Sequence, residues 1–380
     1  MIPLSLPDIG TSEITAVTEA LSSSQLSLGP RVPAFETGLA AIAGVSHAVA
    51  VNSGTSALHL AVRALGLTEG DEVVTTPFTF VASANVLLYE RVRPVFVDID
   101  PITWNIDPAR IEGALTRRTR AILPVDVFGL PCDMDAISQI ARARGLPVLE
   151  DACEAIGATW GGRPVGSRST ISTLSFYPNK QITTAEGGAV LTDDPALADA
   201  CRRMRNHGRL AGGPLVHDRL GYNYRLSELH AALGLAQIAR LSEILSARAR
   251  VASWYAEDLG DVPGLRLPSA TPRAERSWFV YVVLLEDERL AGQRDAVAQS
   301  LRAHDIATGI YFPPVHLQPV YREAFGHSAG DFPVTEDVAS RALALPFFTR
   351  ITRQQVHQVA QSLEAVVAGA LDSAPKVGLR

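Results

Sequence analysis

Apolar residues recur along this chain in two rhythms, short β-branched runs and longer stretches with a 3.6-residue period, and their alternation predicts most of the architecture. The first helical pattern lines Ile14, Val17 and Leu21 on one face, with Thr11 or Ser12 available as its cap. A second carries Phe35, Leu39 and Ile42 and stops at Gly44. The stretch between them, Gln25–Arg31, could face a ligand or merely connect. From residue 47 the rhythms interleave, and a run of A-V-A-V turns through Asn52-Ser53-Gly54-Thr55 into a helix buried along Leu58, Val62 and Leu65. Strands are expected at 72–75, 94–97, 121–125, 147–150, 171–176 and 188–191. Asp107, Asp133 and Asp194 stand where caps of the intervening helices belong.

This βα rhythm specifies an α/β fold, a mostly parallel sheet with helices on both faces, whose ligands sit at the carboxyl ends of the strands. After Ser227 one long helical pattern runs to Tyr255. Beyond it the rhythm changes to a strand at Trp278–Leu285, a helix with Val297 and Leu301, and a terminal helix with Val356, Val359, Leu363 and Val366. The expected division is a large domain over 1–245 and a smaller C-terminal α+β domain over 246–380, with the N-terminal segment able to pack on the latter.

Composition narrows the function. The 380 residues are 47% hydrophobic and 19% charged, as expected of a globular protein with a substantial core. A net charge of −6 provides no general attraction to nucleic acid or an anionic membrane. No apolar run reaches the length of a membrane span. The three cysteines form no C-x-x-C and no framework, and the N-terminus lacks the basic start and apolar core of a signal peptide, so a cytoplasmic location is expected. The nine histidines show no H-E-x-x-H pair, which leaves no metal motif. No G-x-S-x-G elbow is present.

The candidate chemistry lies at the predicted strand ends. The Ser53-Gly54-Thr55 turn puts unpaired N–H groups and the positive end of a helix dipole at one spot, which suits a phosphate or makes a plain cap. It matches neither a P-loop nor a G-x-G-x-x-G fingerprint. The stretch S-F-Y-P-N-K-Q-I-T-T-A-E-G-G, Ser175 to Gly188, places Lys180 on a Pro-bearing loop between two strands. A loop lysine is ordinarily a solvated charge. This one follows a serine at a strand end, precedes a Glu-Gly-Gly turn, and comes after a strand that ends in Asp151. Those are the parts of a lysine-anchored pyridoxal phosphate (PLP) site.

Several segments together resemble the DegT/StrS family of PLP-dependent sugar aminotransferases, within the fold type I aspartate aminotransferase superfamily. They are G-P-R-V-P-A-F-E, S-G-T-S-A-L-H-L-A, T-P-F-T-F-V-A-S-A-N, P-V-F-V-D-I-D, V-L-E-D-A-C-E-A-I-G-A, the Lys180 stretch, G-Y-N-Y-R-L-S-E-L and P-P-V-H-L-Q-P-V-Y. The resemblance implies that Lys180 anchors PLP covalently and moves protons at the substrate carbon. It implies that Asp151 pairs with the pyridine nitrogen, that Phe80 stacks on the ring, and that Gly54, Thr55 and Ser175 hold the phosphate. It further implies a homodimer with shared active sites, in which Asn223 reaches the phosphate of the other subunit.

The sequence departs from the commonest family pattern at Glu154, where glutamine or histidine is usual, and at Ala185, where glycine is usual. Glu154 therefore enters as a possible neighbour of the cofactor. Arg225, Tyr311 and His316 are candidate contacts for a substrate carboxylate or sugar, with surface or packing roles as the alternative. The implied reaction moves an amino group from L-glutamate or L-glutamine to a keto sugar, foremost a nucleotide-linked keto-deoxyhexose. A keto-inositol aminotransferase would share every cofactor residue and differ in the loops Gln25–Arg31 and Leu210–Asp218. A non-catalytic PLP-binding regulator is the alternative of another class, and the intact set of Lys180, Asp151 and phosphate residues speaks against it.

Overall fold

A computed structural model of the chain describes residues 1–210 and 215–373, so the 211–214 part of the Leu210–Asp218 loop lies outside the described residues. The β-branched runs become seven strands: β1 His47–Val51, β2 Glu72–Thr75, β3 Arg93–Phe96, β4 Thr119–Ile122, β5 Leu149–Asp151, β6 Ile171–Ser175 and β7 Gly188–Thr192. Strands β3-β2-β4 and β5-β6-β7-β1 pair in those orders. Parallel bridges Ile122–Val148 and Val125–Asp151 join the two groups into one sheet. Only β7 runs against its neighbours, so the sheet is mostly parallel and the ends of β1, β2, β4, β5 and β6 share one edge.

Helices cover both faces, as near-continuous apolar strands require. Helix α3, Gly54–Ala64, buries Leu58, Leu60 and Val62 against Val49, Val190 and Leu149. On the other face α2, Arg31–Ala43, buries Phe35 and Leu39 with Leu174 and Phe176. The aspartate caps expected at 107, 133 and 194 each accept a first-turn N–H, and Gly44 and Gly145 end their helices at φ 64° and 63°.

A second antiparallel sheet follows, β8 Leu265–Arg266, β9 Tyr281–Leu285 and β10 Ala342–Leu345, in the order β8-β9-β10. The helices Leu241–Leu259 and Arg353–Ser373 share its core through Val251, Tyr255, Val283, Leu343, Val359 and Leu363. Ile2 belongs to the same core, and its strand-like bridge to Ile306 ties the N-terminal segment there.

Three local expectations are corrected. Helix α1, Thr11–Leu21, is capped at Gly10, whose N–H donates to Glu13 Oε2 at 2.7 Å. Its buried side is Glu13 and Ala20, while Ile14 and Leu21 are exposed, because Glu13 receives Gln237 Nε2 at 2.9 Å and Arg240 Nη1 at 3.0 Å. The single helix expected from Ser227 to Tyr255 is two, Glu228–Ala239 and Leu241–Leu259. Arg240 leaves helical geometry at φ −106°, ψ 6° to make its ion pairs with Glu13 and Glu243. In the last helix Val366 packs against the core as expected, and Val367 is buried in it as well.

Candidate active site

The hairpin from β6 to β7 carries the central lysine. Its loop is polar in sequence yet mostly buried, and side chains satisfy the backbone that burial strips of water. Thr183 Oγ1 donates to Phe176 O at 3.0 Å, Thr183 N donates to Gln237 Oε1 at 3.2 Å, and Gln181 Nε2 donates to Glu154 O at 2.6 Å. Ala185 stands at φ 66°, a left-handed geometry in which glycine is unstrained. Within this frame Lys180 N donates to Tyr177 O at 2.9 Å. Its Nζ lies 3.5 Å from Glu154 Oε1 and 4.0 Å from the centre of the Phe279 ring.

Glu154 is buried, and its other oxygen accepts Phe128 N–H at 2.9 Å. Burial pushes its carboxyl above the usual range, against the opposing pull of Lys180. A proton or a cation is therefore the partner it needs, and the lysine supplies one.

Asp151 ends β5 at the same cleft, with Oδ2 accepting Ser83 Oγ at 2.6 Å and Oδ1 accepting Cys153 N at 3.1 Å. Two donors fix a carboxylate that is almost fully buried. Burial, reinforced by the Asp151 charge, pushes the Cys153 thiol well up, so that group stays a neutral wall. Beside it, α3 starts with Ser53 as its cap, Ser53 Oγ accepting Ser56 N at 3.1 Å. The N–H groups ahead of Ser56 have no carbonyl within the helix to bind. A Cβ on Gly54 would stand 2.8 Å from Ser175 Cβ and 3.2 Å from Cys153 Sγ. Glycine is what lets the helix start close onto β6.

One cleft of about 350 Å³ gathers Gly54, Thr55, Phe80, Asp151, Glu154, Ser175, Lys180 and Tyr311. Phe80 is exposed there, with 59% of its surface open. Sequence reasoning missed Ser83 and Phe279, which also line it. Ser83 lies one turn past the T-P-F-T-F segment and could have been found by asking what satisfies a buried aspartate. Phe279 comes from the far end of an apolar run that reads as plain core.

Three candidates do not join the cleft of their own chain. Asn223 is exposed between Tyr222 and Tyr224, whose rings stack 4.8 Å apart. Arg225 Nη1 donates to Asn206 Oδ1 at 2.9 Å. His316 is fully buried with Nε2 3.0 Å from Glu336 Oε1 and its ring against Phe332. That placement corrects the reading of His316 as a substrate contact: the P-P-V-H segment turns it inward to bind an acid.

Residues 7–364 match the model of the DegT/DnrJ/EryC1/StrS aminotransferase family. The chain belongs to this family. Over 97% of its length it is 39% identical to the spore coat polysaccharide biosynthesis protein SpsC of Bacillus subtilis (strain 168), covering 98% of that protein. The structure is similar to DesI, solved in the presence of its TDP-sugar product, with 34% identity, a TM-score of 0.88, and coverage of 96% of this chain and 92% of that one. It is also similar to the PLP form of the putative sugar aminotransferase Spr1654 of Streptococcus pneumoniae, with 26% identity, a TM-score of 0.93, and coverage of 97% and 99%.

This member of the family is thus a PLP-dependent aminotransferase of fold type I. The groups of its cleft fit that cofactor: one amine, one buried carboxylate fixed by two donors, an exposed aromatic ring, and a helix start whose glycine leaves room beside a serine hydroxyl. Among the described residues no helix is long and apolar enough to cross a membrane.

Proposed function

We propose that this aminotransferase moves an amino group from L-glutamate or L-glutamine to a nucleotide-linked keto-deoxyhexose, in the cytoplasm, as a step of amino-sugar biosynthesis. The observation that carries the reading is the meeting of Lys180, Asp151 and the Gly54 helix start in one cleft of a sugar-aminotransferase fold. DesI with its TDP-sugar product supports the nucleotide sugar as acceptor class.

When bound, PLP supplies an electron-accepting ring that carries the amino group from donor to acceptor. Lys180 would anchor it, and its amine would hold and move the proton at the substrate carbon. Asp151, locked by Ser83 and Cys153 N–H, would keep the cofactor's ring nitrogen protonated. Gly54, Thr55 and Ser175 bind the phosphate at the positive end of α3. Phe80 covers a ring face and Glu154 neighbours the reactive amine. Tyr311, walled by Phe312 and Phe128, contacts substrate.

Two copies complete the site, with Asn223 of the partner subunit at the phosphate, and Arg225 is a contact for the substrate carboxylate or sugar. Exposure of Ile14, Leu21, Leu26 and Leu28 on one copy supports such an interface. Each copy is divided into a cofactor-binding unit over 1–245 and a smaller unit over 246–380.

The test is amine transfer from L-glutamate and L-glutamine to a panel of nucleotide-linked 3-keto- and 4-keto-6-deoxyhexoses and to free keto-inositols, followed by mass spectrometry. Aminated nucleotide sugar is the expected product. Turnover of keto-inositol alone would replace the acceptor class. Lys180→Ala should fold normally, lose the visible absorbance of lysine-bound PLP and lose turnover.

A further inference from the structure

Arg248 lies on the helix Leu241–Leu259 with only 2% of its surface exposed. No ion pair reaches it among the described residues. Asp8 acts on it only through space, and burial pulls its guanidinium down to about 10. Burying an uncompensated charge is costly unless its donors are used. Here the two terminal nitrogens are used on backbone alone, while the buried Nε has no partner among the described residues. Nη2 donates to Lys180 O at 3.2 Å and Asn179 O at 3.5 Å, while Nη1 donates to Phe279 O at 3.3 Å and Trp278 O at 3.5 Å. The cation also stands 5.5 Å from the Phe347 ring.

The two segments so tied meet again above the guanidinium. Phe279 places its ring 4.0 Å from Lys180 Nζ, and both side chains line the cleft. One side chain therefore sets the backbone of the reactive lysine and the backbone of the wall against it. Only a planar fork with donors on two sides spans both carbonyl pairs, since lysine offers one point of charge.

We propose that Arg248 is a positioning residue for the amine transfer, fixing the register between Lys180 and Phe279 without touching substrate or cofactor. The inference rests on Lys180 being the reactive amine. Arg248→Lys keeps a cation able to discharge in the interior, so it is expected to fold. In holoenzyme of this variant kcat should fall by about 10- to 100-fold, the range that an ångström-scale misplacement costs, while the Michaelis constants of both substrates hold. Hydrogen exchange of peptides spanning 178–181 and 278–281 should speed up together, with the rest of the sheet unchanged.

Borohydride trapping followed by peptide mapping separates this inference from its premise. Trapping at Lys180 in the wild type keeps the premise, and no trapping there removes it. With trapping intact, unchanged kcat and unchanged exchange in Arg248→Lys overturn the positioning role. If the variant does not accumulate folded, native-state exchange of the wild-type holoenzyme decides: opening of both segments as one unit supports the coupling, and separate opening energies overturn it.

Discussion

Replacing Gly54 by alanine tests the phosphate seat without changing a charge or a hydrogen-bonding side chain. The new Cβ would stand 2.8 Å from Ser175 Cβ, 3.0 Å from Ser175 Oγ and 3.2 Å from Cys153 Sγ. Carbon atoms rest at about 3.5–4.0 Å, so α3 must retreat from β6 by roughly 1 Å. Overpacking of this kind costs about 1–3 kcal/mol. The same retreat separates the first-turn N–H groups from the Ser175 hydroxyl, and a comparable free energy is lost from an anion that needs both. At about 1.4 kcal/mol per tenfold, the Kd of pyridoxamine phosphate should rise between fivefold and a hundredfold, roughly. That ligand forms no bond to Lys180, so calorimetric titration of the apoprotein reads the seat alone. The thermal midpoint of the apoprotein should fall as well. A lowered midpoint with an unchanged Kd would show that the clash exists and the phosphate binds elsewhere, which refutes the assignment.

Ser83→Ala removes the 2.6 Å bond to Asp151. A hydrogen bond to a charged group is worth about 1.5–3 kcal/mol, so kcat should drop roughly ten- to hundredfold with the protein still folded, and full activity would show that Asp151 does not depend on it. The shared site predicts complementation: Lys180→Ala and Asn223→Ala, each inactive or weak, should recover about a quarter of wild-type activity when their subunits are mixed, as half the dimers become mixed and each holds one intact site. No recovery after verified exchange would place Asn223 outside the partner's site. Behind Asp151, burial pushes the Asp126 and Glu150 carboxyls up, with Glu150 adding to the rise at Asp126. Raised folded values mean a stability contribution that is complete below the ordinary carboxylate range near 4 and lost as pH climbs through the folded values. Glu150→Gln should flatten the alkaline decline of the urea midpoint, whereas identical slopes would show that the pair does not titrate in the folded range.

What could be read from the chain followed the reach of each signal. Caps at Asp107, Asp133 and Asp194 are decided within a few residues and appear where the sequence put them. Strand cores were legible too, with ends shifted by up to three residues, as at 119–122 against 121–125. The face of α1 was not, because periodicity marks an apolar stripe without saying which chain covers it. The break at Arg240 depends on Glu13, far away in sequence. At the site, Lys180, Asp151 and the Gly54 turn each sit at a strand end, so topology alone brings them together. Ser83, Phe279 and Arg248 act through partners 30 or more residues distant, and no local pattern announces them. His316 was misplaced for the converse reason: a polar residue in a loop motif was bound inward by Glu336.

The antiparallel strand β7 has a mechanical meaning for the lysine. Ser175 and Gly188 face each other in register across β6 and β7, so the loop between them leaves the sheet and returns to it at one point. Both of its ends are anchored to the same rigid layer that carries Asp151 and the Gly54 turn. Stretching that loop would break ladder bonds at both strands. The loop that carries the amine and the helix start at Gly54 therefore travel as one body.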